Sequence, residues 1–240
     1  MKTFFTKHKR LAISLTVTLA VILTVCVAFF IFVSDTYSPD DIAMSVLTLD
    51  GVSKHHGYIE LKSNASDVGL IFYPGAKVEY EAYLPLLNSI RENGINCYLV
   101  EMPLIMAFFG GNHSDKVIVA HPEIGAWCIC GQSLGGAFAS GYASENADVI
   151  EGLILLGSYP YKEYPLEKTL TVYGSLNTSV ADRVDYTENV IVIEGGNHAQ
   201  FGNYGHQDGA AIATVSREHQ QEVTVNAIID FISQIPKEIE

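Results

Sequence analysis

The 240 residues are 48% hydrophobic and 17% charged, which fits one globular domain of ordinary size and leaves little room for a second. The formal net charge is −13; a body that acidic is repelled by phosphate backbones, so general nucleic-acid binding is excluded. Ample Val, Ile, Leu, Phe and Tyr exclude a disordered chain.

Residues 1–10 carry Lys2, Lys7, Lys9 and Arg10 and no acid. Residues 11–33, LAISLTVTLAVILTVCVAFFIFV, then contain no charge, Pro or Gly. At about 1.5 Å per residue, a helix of that length matches a hydrocarbon core of about 30 Å. Cations before it and Asp35, Asp40 and Asp41 after it place the N-terminus in the cytoplasm by the positive-inside rule. The expectation is therefore an uncleaved signal anchor crossing the lipid bilayer, with the remainder on the outer face of the cell membrane. A cleaved signal peptide fits less well, because its apolar stretch is usually only about 7–15 residues and a small-x-small site follows it. On this reading 34–56 is a linker and 57–240 the folded domain.

Beyond the linker, strands and helices alternate. Gly57–Leu61 and Val68–Tyr73 read as strands, the second (VGLIFY) apolar throughout as if covered on both faces. Tyr80, Tyr83, Leu84, Leu87 and Ile90 recur at helical spacing, with Pro85 predicting a kink or a late start. Ile95–Val100 is a strand, Asp115–Ala120 a short helix, Ala126–Cys130 a strand and Leu134–Ser144 a helix of small residues. Val149–Leu156, Leu170–Tyr173 and Val190–Ile193 add three strands. The chain closes on a helix whose apolar face holds Val223, Ala227, Ile228, Phe231, Ile232 and Ile235. Such alternation means an α/β domain with a mostly parallel sheet, whose chemistry belongs at the carboxyl ends of the strands.

Cysteines give no framework. Cys26 lies in the apolar segment, and Cys97, Cys128 and Cys130 lie in apolar strand-like runs, where free Cys behaves as a small hydrophobe. Cys128 and Cys130 have no second Cys/His pair at zinc-ligand spacing. His206 and Asp208 are near His198 in sequence, but without the regular spacing of a metal site.

One strand end carries Gly131-Gln132-Ser133-Leu134-Gly135, a G-x-S-x-G between a strand and a helix. That context defines an elbow where Ser133 is held in a strained conformation and only small flanking residues fit. The helix N-terminus directs its free N–H groups at a developing oxyanion. His198 follows the strand ending at Ile193, and Gly195-Gly196 permit a tight turn that aims its imidazole back over the sheet.

With these segments the chain resembles the α/β-hydrolase superfamily, and within it the small members with an extended histidine motif. Phe72–Val78 (FYPGAKV) is similar to the oxyanion loop, Gly131–Gly136 (GQSLGG) to the nucleophile elbow, and Glu194–Gly205 (EGGNHAQFGNYG) to the histidine loop. The resemblance implies that Ser133 is the nucleophile and His198 the general base. It implies an oxyanion hole from the backbone N–H of Leu134 with that of Ala76 (or Lys77), and no cofactor or metal.

The acid of the triad departs from this pattern. It belongs in the turn after Leu170–Tyr173, where the sequence is Tyr173-Gly174-Ser175-Leu176-Asn177-Thr178, with Asn177 at the acid's position. A neutral amide cannot stabilise an imidazolium, and its NH₂ would favour the wrong tautomer. Asp182 is the nearer substitute acid and Asp185 the farther. The expectation is a membrane-anchored serine hydrolase of a small-molecule ester or acyl substrate, carboxylesterase-like. The alternative is a hydrolase fold that binds a ligand with impaired catalysis. The apolar start of Leu104–His121 suggests a lid.

Overall fold

Apolar runs of four to seven residues become an eight-stranded sheet in the computed structural model, which describes residues 2–34, 36–63, 65, 67–102 and 113–235, with side chains of the first helix described over 13–29. The strands are β1 (Val52–His55), β2 (Tyr58–Leu61), β3 (Val68–Tyr73), β4 (Asn96–Val100), β5 (Ala126–Gln132), β6 (Ile150–Leu156), β7 (Thr169–Gly174) and β8 (Val190–Ile193). Their order is β1-β2-β4-β3-β5-β6-β7-β8. β1 and β2 pair antiparallel, as do β2 and β4; every later pairing is parallel. The sheet is thus mostly parallel and flanked by helices.

Strand alternation builds two cores, one on each face. Leu70, Phe72, Cys128, Cys130, Ile154 and Leu156 face one layer, formed by α3 (Leu84–Glu92) and α7 (Arg217–Ser233). Ile71, Tyr73, Trp127, Ile129, Leu153 and Leu155 face the other, formed by α4 (His113–Ala120) and α5 (Leu134–Glu145). Cys97, Cys128 and Cys130 are buried free thiols, and burial pushes Cys128 up to about 12, so they pack as hydrophobes. Pro85 lies in the first turn of α3, where its missing N–H costs nothing, and a 3₁₀ turn over Tyr80–Tyr83 precedes it. That is the late start read from the sequence.

The chain divides into two units, Met1–Thr36 and Tyr37–Glu240. α1 (Lys2–Ser34) makes up the first, and its described side chains are exposed. Among the described residues no helix is long and apolar enough to cross a membrane. This finding corrects the expected spanning segment at 11–33 and the single-pass localisation built on it.

Much of the stretch read as a linker carries secondary structure. Residues 37–56 belong to the second unit, where α2 (Asp41–Val46) and β1 form. Tyr37 bridges to Val78, and its N–H donates to Lys77 O at 2.7 Å. Asp40 caps α2 through the Ala43 N–H (2.9 Å) and pairs with Arg217 at 3.0 Å. Ion pairing and capping make these residues part of the domain. Of the suggested lid, residues 104–112 lie outside the described residues. The rest forms α4, with Val117 in the core.

Candidate active site

The carboxyl ends of β3, β5, β7 and β8 bring the sequence-predicted residues together. β5 ends at Gln132, and Ser133 follows at φ 52° and ψ −122°, before α5 begins at Leu134. Positive φ is costly for a residue with a Cβ, so this is stored backbone strain at the elbow. Neighbouring contacts hold it there. Ser133 N–H donates to Leu156 O (3.0 Å), and Ser133 O accepts from the Ser158 hydroxyl (2.9 Å).

The small flanking residues are required by close approach. A Cβ on Gly131 would lie 2.3 Å from Gly135 O, and one on Gly135 would lie 2.3 Å from Tyr73 O. The first turn of α5 is therefore pressed against the loop after β3. That loop carries Ala76 and Lys77, the latter at φ 62°. The two expected oxyanion segments are consequently neighbours, as the parallel pairing of Tyr73 with Gly131 requires.

His198 is delivered by a braced loop. Gly195 at φ 73° makes the turn, and the Gly196 N–H donates to Ile193 O at 3.0 Å. The Asn197 side chain accepts from the N–H groups of Ala199 and Gln200, both at 3.0 Å. Fully buried Gln220 of α7 exchanges two hydrogen bonds with the Asn197 backbone. Phe201 and Tyr204 anchor the far side in the core. Gly195, Asn197, Phe201 and Tyr204 of the long motif thus have structural tasks, and the imidazole is what the loop presents.

Asn177 lies in the turn between β7 and α6 (Thr178–Ala181), and its Nδ2 is 2.8 Å from His198 Nδ1. The position expected for the acid does face the histidine. Asp182 caps the C-terminal end of α6 with its side chain exposed, and Asp185 is exposed as well. Among the described residues neither has a hydrogen bond to His198, so the structure does not support Asp182 as the substitute acid. The helical turn Thr178–Ala181 carries it away from the ring. Ser133 Oγ has no hydrogen bond to His198 among the described residues; in unliganded hydrolases such bonds are often long and tighten with substrate.

Three residues were not singled out as site residues from the sequence. Gln132, 1% exposed, places Nε2 at 3.3 Å from His198 Nε2 and 3.1 Å from His198 O. Tyr83, fully buried, donates to Gln132 Oε1 at 2.9 Å. Gly157, at φ 53°, leaves room under the Asn177–His198 contact, since a Cβ there would lie 3.1 Å from His198 Nδ1. Only the x of G-x-S-x-G and a buried Tyr at helical spacing could have pointed to the first two. A cleft of about 520 Å³ opens beside the ring, lined by Asn177, Ser179, His198, Gln207 and Asp208 among others. Among the described residues no group of three His, Cys, Asp or Glu side chains could hold a metal ion.

Burial lowers the pKa of His198 below its ordinary value of about 6.5, so the native site favours the neutral ring. An unfolded chain takes up a proton near pH 6.5 that the native site resists. The stability held by neutral His198 is therefore complete above about pH 6.5 and is lost as pH falls toward the lower native value. In urea unfolding across that window, His198→Ala should gain stability relative to wild type as pH falls. Parallel curves would show that His198 does not carry this linkage.

Residues 69–222 match the alpha/beta hydrolase family, and the chain belongs to it. No curated protein matches. Among solved structures, a dienelactone hydrolase from Anabaena variabilis is 11% identical, with 74% of this chain and 91% of that one covered at a TM-score of 0.54. MGS-MChE2, an alpha/beta hydrolase enzyme from a sediment metagenome of the Mar Chica lagoon, Morocco, is 14% identical, with 77% and 99% covered at 0.55. A ferulic acid esterase from Streptomyces cinnamoneus is 14% identical, with 71% and 67% covered at 0.52. At these identities the likeness is one of fold.

Proposed function

We propose that this protein is a serine hydrolase of carboxylic esters, with Ser133 as nucleophile and His198 as general base. The observation that carries this reading is the left-handed backbone of Ser133 at a strand-to-helix elbow, a conformation maintained by glycine contacts on both sides. Ser133 Oγ attacks the substrate carbonyl as its proton passes to His198 Nε2. The tetrahedral oxyanion is stabilised by the N–H groups of Leu134 and Ala76. Collapse expels the alcohol, which takes its proton from His198, and leaves an acyl-serine that water hydrolyses by the same steps in reverse order. An ester as the scissile bond accords with one of the similar structures being named an esterase. Asn177 favours a second reading, in which the same pocket binds a ligand while chemistry is slow.

A fluorophosphonate probe separates the two, because it labels a serine only when the serine–histidine pair and the oxyanion hole are competent. Stoichiometric labelling mapped to Ser133, together with hydrolysis of short-chain p-nitrophenyl esters, is expected. Absence of both would leave the binding reading.

A further inference from the structure

Two amide side chains flank the catalytic imidazole, and as they stand both turn nitrogen toward it. Asn177 Nδ2 faces Nδ1 at 2.8 Å and Gln132 Nε2 faces Nε2 at 3.3 Å. A neutral imidazole offers one acceptor and one donor, so two amide donors cannot both be satisfied. One amide must present its oxygen. The neighbours of each decide which one.

Gln132 is held at both ends. The Gly75 N–H donates to Tyr83 Oη at 3.1 Å, which leaves the phenol proton to be given to Gln132 Oε1 at 2.9 Å. Burial pushes the Tyr83 phenol well above its ordinary pKa, so that proton stays in place. At the other end, Gln132 Nε2 donates to the carbonyl oxygen of His198 at 3.1 Å. Turning this amide would set oxygen against the His198 carbonyl and NH₂ against Tyr83 Oη in place of the acceptor its proton needs. The second proton of the Gln132 NH₂ is then available to His198 Nε2. Asn177 has no such constraint. Its Oδ1 is bonded to the Ser179 hydroxyl at 3.0 Å, and a hydroxyl accepts as readily as it donates. Asn177 can turn without losing a hydrogen bond.

We infer that Gln132 is a positioning residue that fixes the tautomer of His198, keeping the lone pair on Nε2 and the proton on Nδ1, with Asn177 accepting that proton through Oδ1. The pairing needed for base catalysis is thereby set from the Nε2 side, by a chain running from Gly75 through Tyr83 to Gln132, rather than by a carboxylate at Nδ1. A Cβ at Gly75 would lie 2.1 Å from Gln132 Oε1, so the loop after β3 is shaped around the amide. The serine hydroxyl takes over the Nε2 lone pair from Gln132 when substrate binds. This role rests on the serine-hydrolase reading, but the tautomer itself does not depend on turnover.

The test is a two-bond ¹H–¹⁵N correlation spectrum of the ¹⁵N-histidine-labelled full chain at about pH 8, above the ordinary histidine range. The His198 signals are assigned by their loss in His198→Ala. Wild type should show the Nδ1–H tautomer. In Gln132→Met, which keeps the volume and removes the amide, the Nε2–H tautomer should gain about fivefold over Nδ1–H, the scale of one neutral hydrogen bond. Should Gln132→Met fail to fold, Tyr83→Phe frees the Gln132 amide without altering the ring packing and should shift the ratio in the same direction. An Nε2–H tautomer in wild type overturns the inference, as does an Nδ1–H tautomer unmoved by the substitution that folds. If ester hydrolysis is absent while the tautomer behaves as described, the hydrolase reading fails and the positioning role of Gln132 stands.

Discussion

Asn177→Asp should raise ester turnover by at least tenfold but by less than the about 10⁴-fold lost when the acid of a serine-protease triad is made an amide, because that loss reflects the wrong tautomer and Gln132 already sets the right one. The geometry for this gain is already in place, since the side-chain nitrogen of Asn177 is 2.8 Å from His198 Nδ1. A carboxylate there accepts the Nδ1 hydrogen bond and sets a full negative charge beside the imidazolium formed in the transition state, a charge that the amide oxygen lacks. It also acts on the resting enzyme. Burial now holds the His198 pKa below its ordinary value, and an adjacent negative charge raises it. Activity that needs a neutral base should therefore rise at a higher pH in Asn177→Asp than in wild type. A pH–rate profile of the two proteins reads both effects. Unchanged turnover with an unmoved profile would mean that Asn177 is not in line with the proton path.

Ser133→Ala should lose activity by an amount that depends on the residue at 177. Removing the serine of an intact triad costs on the order of 10⁶-fold, whereas removing its acid alone costs on the order of 10⁴-fold, and these losses do not add. With Asn177 in place the acid's charge is missing while its tautomer control is supplied by Gln132, so the wild type should fall by more than about 10²-fold but by less than about 10⁶-fold, to the rate given by binding and the oxyanion hole. In the Asn177→Asp background the same substitution should cost about 10⁶-fold. His198→Ala should follow Ser133→Ala in both backgrounds. Stability should move by no more than about 1 kcal/mol with Ser133→Ala, because alanine is as strained as serine at φ 52° and the hydroxyl fills no core space. A constant loss in the two backgrounds would show that Asn177 and Ser133 do not act on one step.

The strands at the centre of the sheet were legible because burial on both faces leaves a continuous apolar run. VGLIFY gave β3 with its observed boundaries; VIVI marked β8 by its β-branched run alone, since β8 is an edge strand and only Ile193 of it is buried. β1 reads Val-Ser-Lys-His and is exposed over most of its length, so no hydrophobic pattern marks it. α2 and α6 are too short for helical periodicity to register. Ser133, His198 and Asn177 were legible from motifs because each is fixed by its local turn. Gln132 was not, because its orientation depends on Tyr83, 49 residues earlier, and on a carbonyl 66 residues later. Asp182 was offered by spacing along the chain, which says nothing about a helical turn that leaves its side chain exposed. The reading of 11–33 rested on hydropathy and flanking charge, and the described structure does not bear it out.

Tyr37, the first residue of the second unit, is hydrogen-bonded on both sides to the loop that carries Ala76 and Lys77, through Lys77 O at 2.7 Å and the Glu79 N–H at 3.0 Å. Any load transmitted along the backbone from residue 36 reaches that loop before it reaches the sheet. Tension at this junction would bear first on the Ala76–Lys77 side of the expected oxyanion pair, with Leu134 on α5 outside that path. The point where the chain enters the domain thus adjoins one half of its most position-sensitive pair of amides.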